Sequence, residues 1–192
     1  ATIDFGIAVN EEALIGHDRQ FEFYNGTGTD ITFMGAGELD RDGNVNATRM
    51  GTKAPGAGGF VDITSSSKKV AFCSTFTGGG LKVDFDAEKG VTILQEGKFK
   101  KLVNRVQQIS YNGQLAQERG QKMWYVTERC VFELTLEGLK LIEIAKGINL
   151  QKDILDQMEF TPLIADDIKI TDPCIYAEGK FGLKEKIQEM EG

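Results

Sequence analysis

Three alternating segments stand almost end to end late in the chain: Met123–Thr127 (MWYVT), Cys130–Leu136 (CVFELTL) and Leu139–Ile144 (LKLIEI). Apolar and polar residues trade places at period two, the repeat of a strand with one face on a core. Only Glu128-Arg129 and Glu137-Gly138 separate the segments. Such short breaks join antiparallel neighbours, the second with a better turn signal than the first. A chain with this block must build a sheet. Leu81–Phe85 and Val91–Gln95, split by DAEKG, add a hairpin.

Upstream, the pattern changes. Ile31–Met34 and Lys69–Phe76 read as buried strands, Phe60–Ile63 as a short strand, and Val103–Tyr111 as a further one. Ile3, Phe5, Ile7 and Val9 alternate like a strand already under way. Asp42-Gly43 marks a turn. Asn10 is placed to cap a short helix, EEALIG, ended by Gly16. Asn149 caps LQKDILDQM, where Leu150, Ile154, Leu155 and Met158 share one helical face. From Gly179 onward (179–192) a charged tail reads as a marginal helix or a frayed end. The expectation is one α/β domain over 1–192, strand-rich toward its C-terminus.

Composition removes several classes. A chain of 192 residues can bury a sizeable single core. No apolar run approaches the roughly 20 residues of a membrane span, and ATIDFGIAVN lacks the basic start of a signal peptide. A net charge of −7 argues against a nucleic-acid partner. Cys73, Cys130 and Cys174 are odd in number and far apart, and Cys73 and Cys130 lie in apolar runs where buried thiols are common. No metal-ligand spacing occurs, so no metal is expected. A cytoplasmic, reducing location fits this usage.

Familiar chemistry is also scarce. A hydrolase triad needs a histidine base, and His17, in the polar loop GHDRQ, is the only histidine. No Gly-rich turn is followed by Gly-Lys-Ser or Gly-Lys-Thr, and GTGTDI lacks the third glycine of a dinucleotide loop. The run Lys98-Phe99-Lys100-Lys101, with Arg105, reads either as a phosphate site or as a solvated edge strand guarded by lysine. Asp166-Asp167 is an unremarkable acidic pair. What stands out is GAGG at Gly56–Gly59. It is either a tight turn or a bare backbone whose N–H groups face an oxyanion.

Several blocks together resemble class I coenzyme A-transferases, in the second, β-type half of those enzymes. They are QFEFYNGTGTDITFMGAGELDRDGNVNATRMG, GAGGFVDIT, SSSKKVAFCSTFTGGGLKV and MWYVTERCVFELTLEGLKLIEIAKGINLQKDILDQMEFTP. The similarity runs from about Asn10 to Pro162. It implies the open α/β sandwich of the CoA-transferase and ribose-5-phosphate isomerase-like type. It further implies a short-chain acyl-CoA:carboxylate CoA-transferase working by ping-pong transfer through a glutamyl-CoA thioester. Acyl-CoA and a short carboxylic acid are then the substrates, with coenzyme A a co-substrate and no bound cofactor. The resemblance maps the oxyanion donor onto Gly59, beside Gly58, with Asp62 orienting the loop. It maps pocket-lining roles onto Gly26, Gly28, Asn46 and Gly56. The nucleophilic glutamate of the family lies in a Glu-x-Gly segment that would fall before Ala1. The implied partner is therefore the α-type half or N-terminal part of such an enzyme, and the implied assembly a homo-oligomer. Thioester hydrolysis and a non-catalytic interaction domain are the competing expectations.

Overall fold

The computed structural model describes residues 10–176, 178–179 and 182–191; the alternation at Ile3–Val9 lies outside the described residues. In chain order the strands are β1 (Thr32–Gly35), β2 (Glu38–Asp40), β3 (Val45–Asn46), β4 (Lys69–Cys73), β5 (Thr77–Gly78), β6 (Lys82–Asp86), β7 (Gly90–Gln95), β8 (Phe99–Lys100), β9 (Leu102–Val103), β10 (Lys122–Val126), β11 (Cys130–Thr135), β12 (Gly138–Ile144) and β13 (Leu163–Ile170). The α-helices are α1 (His17–Thr27), α2 (Phe60–Ser66), α3 (Gly113–Glu118) and α4 (Leu183–Glu191).

Six strands form the main sheet in the order β1-β4-β10-β11-β12-β13. The first three are parallel, β10–β11–β12 run antiparallel, and β13 returns parallel to β12. The three tandem segments and the β6–β7 hairpin form as their alternation requires. Central β4 buries Val70, Ala71 and Phe72 in succession, as a strand covered on both faces must. Phe60 of α2 stacks on Phe72 with centroids 5.9 Å apart, and Tyr111 meets Phe72 edge-on at 5.0 Å. These contacts seat α2 on the parallel part of the sheet. α1 lies against α2, and Asn25 Nδ2 donates to Asp62 Oδ1 at 3.2 Å.

At the antiparallel end, Arg129 is fully buried. Its Nε donates to Glu128 Oε1 at 2.7 Å, and Nη1 and Nη2 reach the two Glu96 oxygens at 3.0 and 3.1 Å. Nη1 also donates to the Asp153 carbonyl at 2.7 Å, and the guanidinium lies 4.7 Å from the Phe76 ring centroid. Glu96 additionally accepts from Thr77 Oγ1. This node ties the turn before β11 to β5, to the end of β7 and to the segment after β12.

Several elements differ from expectation. The segment after GAGG is a helix, not a strand. Phe60 and Thr64 are buried, and Ile63 and Ser67 extend the same face at helical spacing. The helix at EEALIG is absent; α1 starts at His17 instead and buries no residue. Ile31–Met34 is not fully buried, since Phe33 in β1 is 67% exposed. Cys73, the last residue of β4, is exposed. Only Val103 of Val103–Tyr111 belongs to a strand: the middle of the segment gives its N–H groups to side chains, and only its end, at Ser110 and Tyr111, bonds to Val45 of β3. Asn104 N donates to Glu159 Oε2, Val106 N to Asp40 Oδ2 and Gln107 N to Glu38 Oε2. Asn149 does cap the next segment, accepting from Lys152 N at 2.8 Å. That segment is a π-turn followed by a 3₁₀ turn, and it buries Ile154 and Met158. Strand β13 has no counterpart in the sequence reading. Its pairing skips from Ile164 to Lys169, so Asp166 and Asp167 bulge out into solvent. The tail forms α4. No described helix is long and apolar enough to cross a membrane.

Candidate active site

Two clefts open beside the parallel end of the sheet. The first, about 480 Å³, lies between the end of β1 and α2, with Met34, Gly35, Ala36, Gly59 and Ile63 among its walls. The second, about 560 Å³, is walled by Glu38, Gly78, Phe99, Lys100 and Lys101. Gly37 and Met50 line both. The Met50 thioether rests so closely on Gly37 that a Cβ there would overlap Sδ and Cε. Met50 is therefore the partition between the clefts.

The GAGG loop forms one lip of the first cleft. Gly56 (φ 90°) and Gly58 (φ 50°) hold left-handed backbone in open space, so glycine is required there for conformation alone. Gly59 has ordinary dihedrals and is required for room: a Cβ would stand 2.6 Å from Phe21 Cζ of α1. Gly59 is also the N-cap of α2, and its carbonyl accepts from Ile63 N at 3.0 Å. The N–H groups of Gly58 and Gly59 find no acceptor among the described residues. That leaves two main-chain donors at the mouth of a cleft.

The remaining sequence-derived positions fall elsewhere. Gly26 sits exposed in the last turn of α1 with open space around it, and lines neither cleft. Gly28 (φ 69°) ends α1 under the Ser66 carbonyl, where a Cβ would collide, so it sets the α1–α2 approach. Gly56 is exposed at the outer part of its loop. Asn46 is fully buried and saturated. Its Nδ2 donates to Glu38 Oε2 at 2.8 Å and to Arg49 O at 2.5 Å, while Oδ1 accepts from Thr48 N and Arg49 N. Two donors and two lone pairs exhaust an amide. Asp62 holds α1 to α2, as an orienting residue would. His17, exposed at the start of α1, touches Phe21 edge-on at 4.9 Å.

The lysines of the basic run find different partners. Lys100 Nζ donates to the carbonyls of Asp156 and Met158, at 2.8 and 3.0 Å. Lys101, in the wall of the same second cleft, donates instead to Ser74 Oγ. Burial lowers the Lys101 pKa, opposed by the charge of Glu128. Ser74 Oγ in turn donates to Ala36 O at 2.7 Å. Ser74 and Met50 are site residues the sequence did not single out, and Lys101 stood out only as one lysine of a basic run that fitted a phosphate site or an edge strand. Nothing in the sequence pairs Lys101 with Ser74. No group of three or more metal-ligating side chains occurs among the described residues.

No family model matches the chain. Curated relatives do. The acetate CoA-transferase YdiF of Escherichia coli O157:H7 is 43% identical over 180 residues, 94% of this chain and 34% of that protein. The caffeate CoA-transferase of Acetobacterium woodii is 42% identical over 186 residues, 94% of this chain and 35% of the relative. The chain belongs to the coenzyme A-transferase family. It spans about a third of the length of the CoA-transferases it matches. Among solved structures, the acyl-CoA transferase YdiF of E. coli O157:H7, in a thioester complex with CoA, superposes with a TM-score of 0.88 at 42% identity, over 91% of this chain and 34% of that one. The decarboxylase AibA/AibB, at 18% identity and a TM-score of 0.65 over 88% of this chain and 62% of that one, shares the fold. The CoA-transferase fold is thus not tied to one chemistry.

Proposed function

We propose that this chain is the C-terminal part of a short-chain acyl-CoA:carboxylate CoA-transferase. The observation that carries the reading is the identity with an acetate CoA-transferase across nearly the whole chain. The unpartnered N–H groups at Gly58 and Gly59 supply the chemical counterpart. In this reading a glutamate of a Glu-x-Gly segment upstream of these residues attacks the acyl-CoA carbonyl, and the α-type half completes the acyl pocket. The C–S bond breaks, giving an acyl-glutamyl anhydride and CoA thiolate. The thiolate attacks the glutamyl carbonyl, expels the first carboxylate and leaves a glutamyl-CoA thioester. A second carboxylate reverses the sequence and departs with CoA.

Negative charge gathers on the carbonyl oxygen in each addition. Gly59 N–H, with Gly58 beside it, is the donor for that oxygen. One such donor is worth about 2.7–4 kcal/mol of barrier. The missing Cβ at Gly59 lets α1 pack behind the loop through Phe21, and the apolar wall of Met34, Ala36 and Ile63 receives a short acyl group. Gly28 and Gly56 serve this reading through loop shape, and Asn46 by fixing the segment that carries Met50.

The test incubates the chain with acetyl-CoA and propionate, alone and with the polypeptide that carries the glutamate. Transfer should require both, and a CoA adduct should appear on the glutamate-bearing polypeptide by denaturing mass spectrometry. An absence of transfer with both present sinks the reading.

A further inference from the structure

Lys101 is a cation that the architecture leaves incomplete. It is half-buried in the wall of the second cleft. No carboxylate among the described residues lies within ion-pairing distance of its ammonium. The acid in the same wall, Glu38, is already engaged: its Oε2 accepts from Asn46 Nδ2 at 2.8 Å and Gln107 N at 2.9 Å. Ser74 takes one ammonium proton and donates its own to Ala36 O. Ser74 is therefore the one side-chain partner of the Lys101 ammonium among the described residues.

We propose that the second cleft binds an organic monocarboxylate, its carboxylate on Lys101 Nζ and its apolar body on Phe99 and Met50. Phe99 is 65% exposed and Met50 is 38% exposed, so both offer apolar surface to a ligand. Glu128, itself paired with Arg129, acts on Lys101 only from beyond ion-pairing distance, and one ammonium without an ion pair of its own matches a single carboxylate. A phosphate dianion would need a second cation, and Lys100 is held by two carbonyls. The site adjoins the thioester cleft across the Met50 partition. Its role as a waiting place for the acceptor acid rests on the transferase reading; the binding itself does not.

The experiment titrates the chain, without acyl-CoA, with 3-phenylpropanoate, its neutral amide 3-phenylpropanamide, and phenyl phosphate. Binding is followed by calorimetry and by the lysine side-chain NMR signals. The carboxylate should bind at least about tenfold tighter than the amide, the worth of one hydrogen bond to a charged group. Lys101→Met should bring the carboxylate down to the level of the amide, and Lys101→Arg should retain more of the difference. No carboxylate binding, equal affinity for acid and amide, an unchanged Lys101→Met, or tighter binding of phenyl phosphate would overturn the proposal. The acid–amide comparison on the unaltered chain decides even if a variant fails to fold. Because no CoA chemistry enters the readout, a failed transferase assay leaves the result standing.

Discussion

Two cations are drawn into this fold, and they are treated in opposite ways. Arg129 is closed off on every side, by two carboxylates, a carbonyl and the face of Phe76. Lys101 is held by a single serine and looks into a cleft. The first arrangement ties strands together and leaves nothing for a ligand. The second contributes little to the fold and keeps its charge available. The two ends of the sheet divide along the same line: the antiparallel end is saturated, while the parallel end keeps free donors at Gly58, Gly59 and Lys101.

The largest effect should come from Arg129→Met. It strands Glu96 and Glu128, and losing one partner of a buried ion pair costs about 3–5 kcal/mol. Urea unfolding would measure it; a loss below about 1 kcal/mol would erase the contrast. The variant should also change the acid limb of stability. Burial pushes the Glu96 carboxyl up, but hydrogen bonds from Arg129 and Thr77, with the Arg129 charge, outweigh it and hold the pKa below the ordinary glutamate range. A carboxylate depressed in the folded state stabilises above its unfolded pKa, and the contribution fades as pH falls through the folded value. The wild-type chain should lose stability as pH falls below the ordinary glutamate range, and Arg129→Met should lose less.

Asn46→Ala comes next, at about 2 kcal/mol or more. It leaves the buried N–H of Thr48 and the part-buried N–H of Arg49 without their acceptor. A near-neutral result in thermal unfolding would return Asn46 to the list of ligand-binding side chains. Gly59→Ala should cost about 1–3 kcal/mol by overpacking against Phe21. Pairing it with Phe21→Leu should recover most of that, a double-mutant cycle that separates room from conformation.

The smallest effect belongs to Lys101→Met. Removing a half-buried cation that has no carboxylate partner should change stability by less than about 1 kcal/mol, on the favourable side. The sign has a pH signature. Burial holds the folded pKa below that of a free lysine, so the unfolded chain binds more protons in the window just beneath the free-lysine pKa. Wild-type stability should therefore climb with pH across the window relative to Lys101→Met. A strongly destabilised variant would place Lys101 with Arg129 among the structural cations.

The legible parts of the sequence were those where one periodicity had no rival. The strands from Met123 to Ile144 alternate long enough to exclude a helix, and Asn149 has the right chemistry and position for a cap. Phe60–Ile63 was misread because four residues fit either period; the helix shows itself only when Thr64 and Ser67 are counted. Val103–Tyr111 looked like a strand because the carboxylates that take its N–H groups lie more than fifty residues away in sequence. β13 was hidden by Asp166-Asp167, polar residues that a bulge pushes out of register. At the site, the glycine loop was visible as a motif. Arg129 with Glu96 and Lys101 with Ser74 are pairings of distant single residues, and no local pattern announces them.

The Met50 partition has a chemical consequence of its own. Met50 is more accessible than the core methionines, Met123 and Met158, which are 0% and 4% exposed. Peroxide should reach its sulfur before theirs. One added oxygen would turn an apolar thioether lying flat on Gly37 into a polar, bulkier sulfoxide. The wall would lift, and two compartments would become one. Met190, 86% exposed in α4, oxidises as the built-in control. Peptide mapping against ligand binding would then show the clefts changing with Met50 alone, and recovering when a sulfoxide reductase restores it.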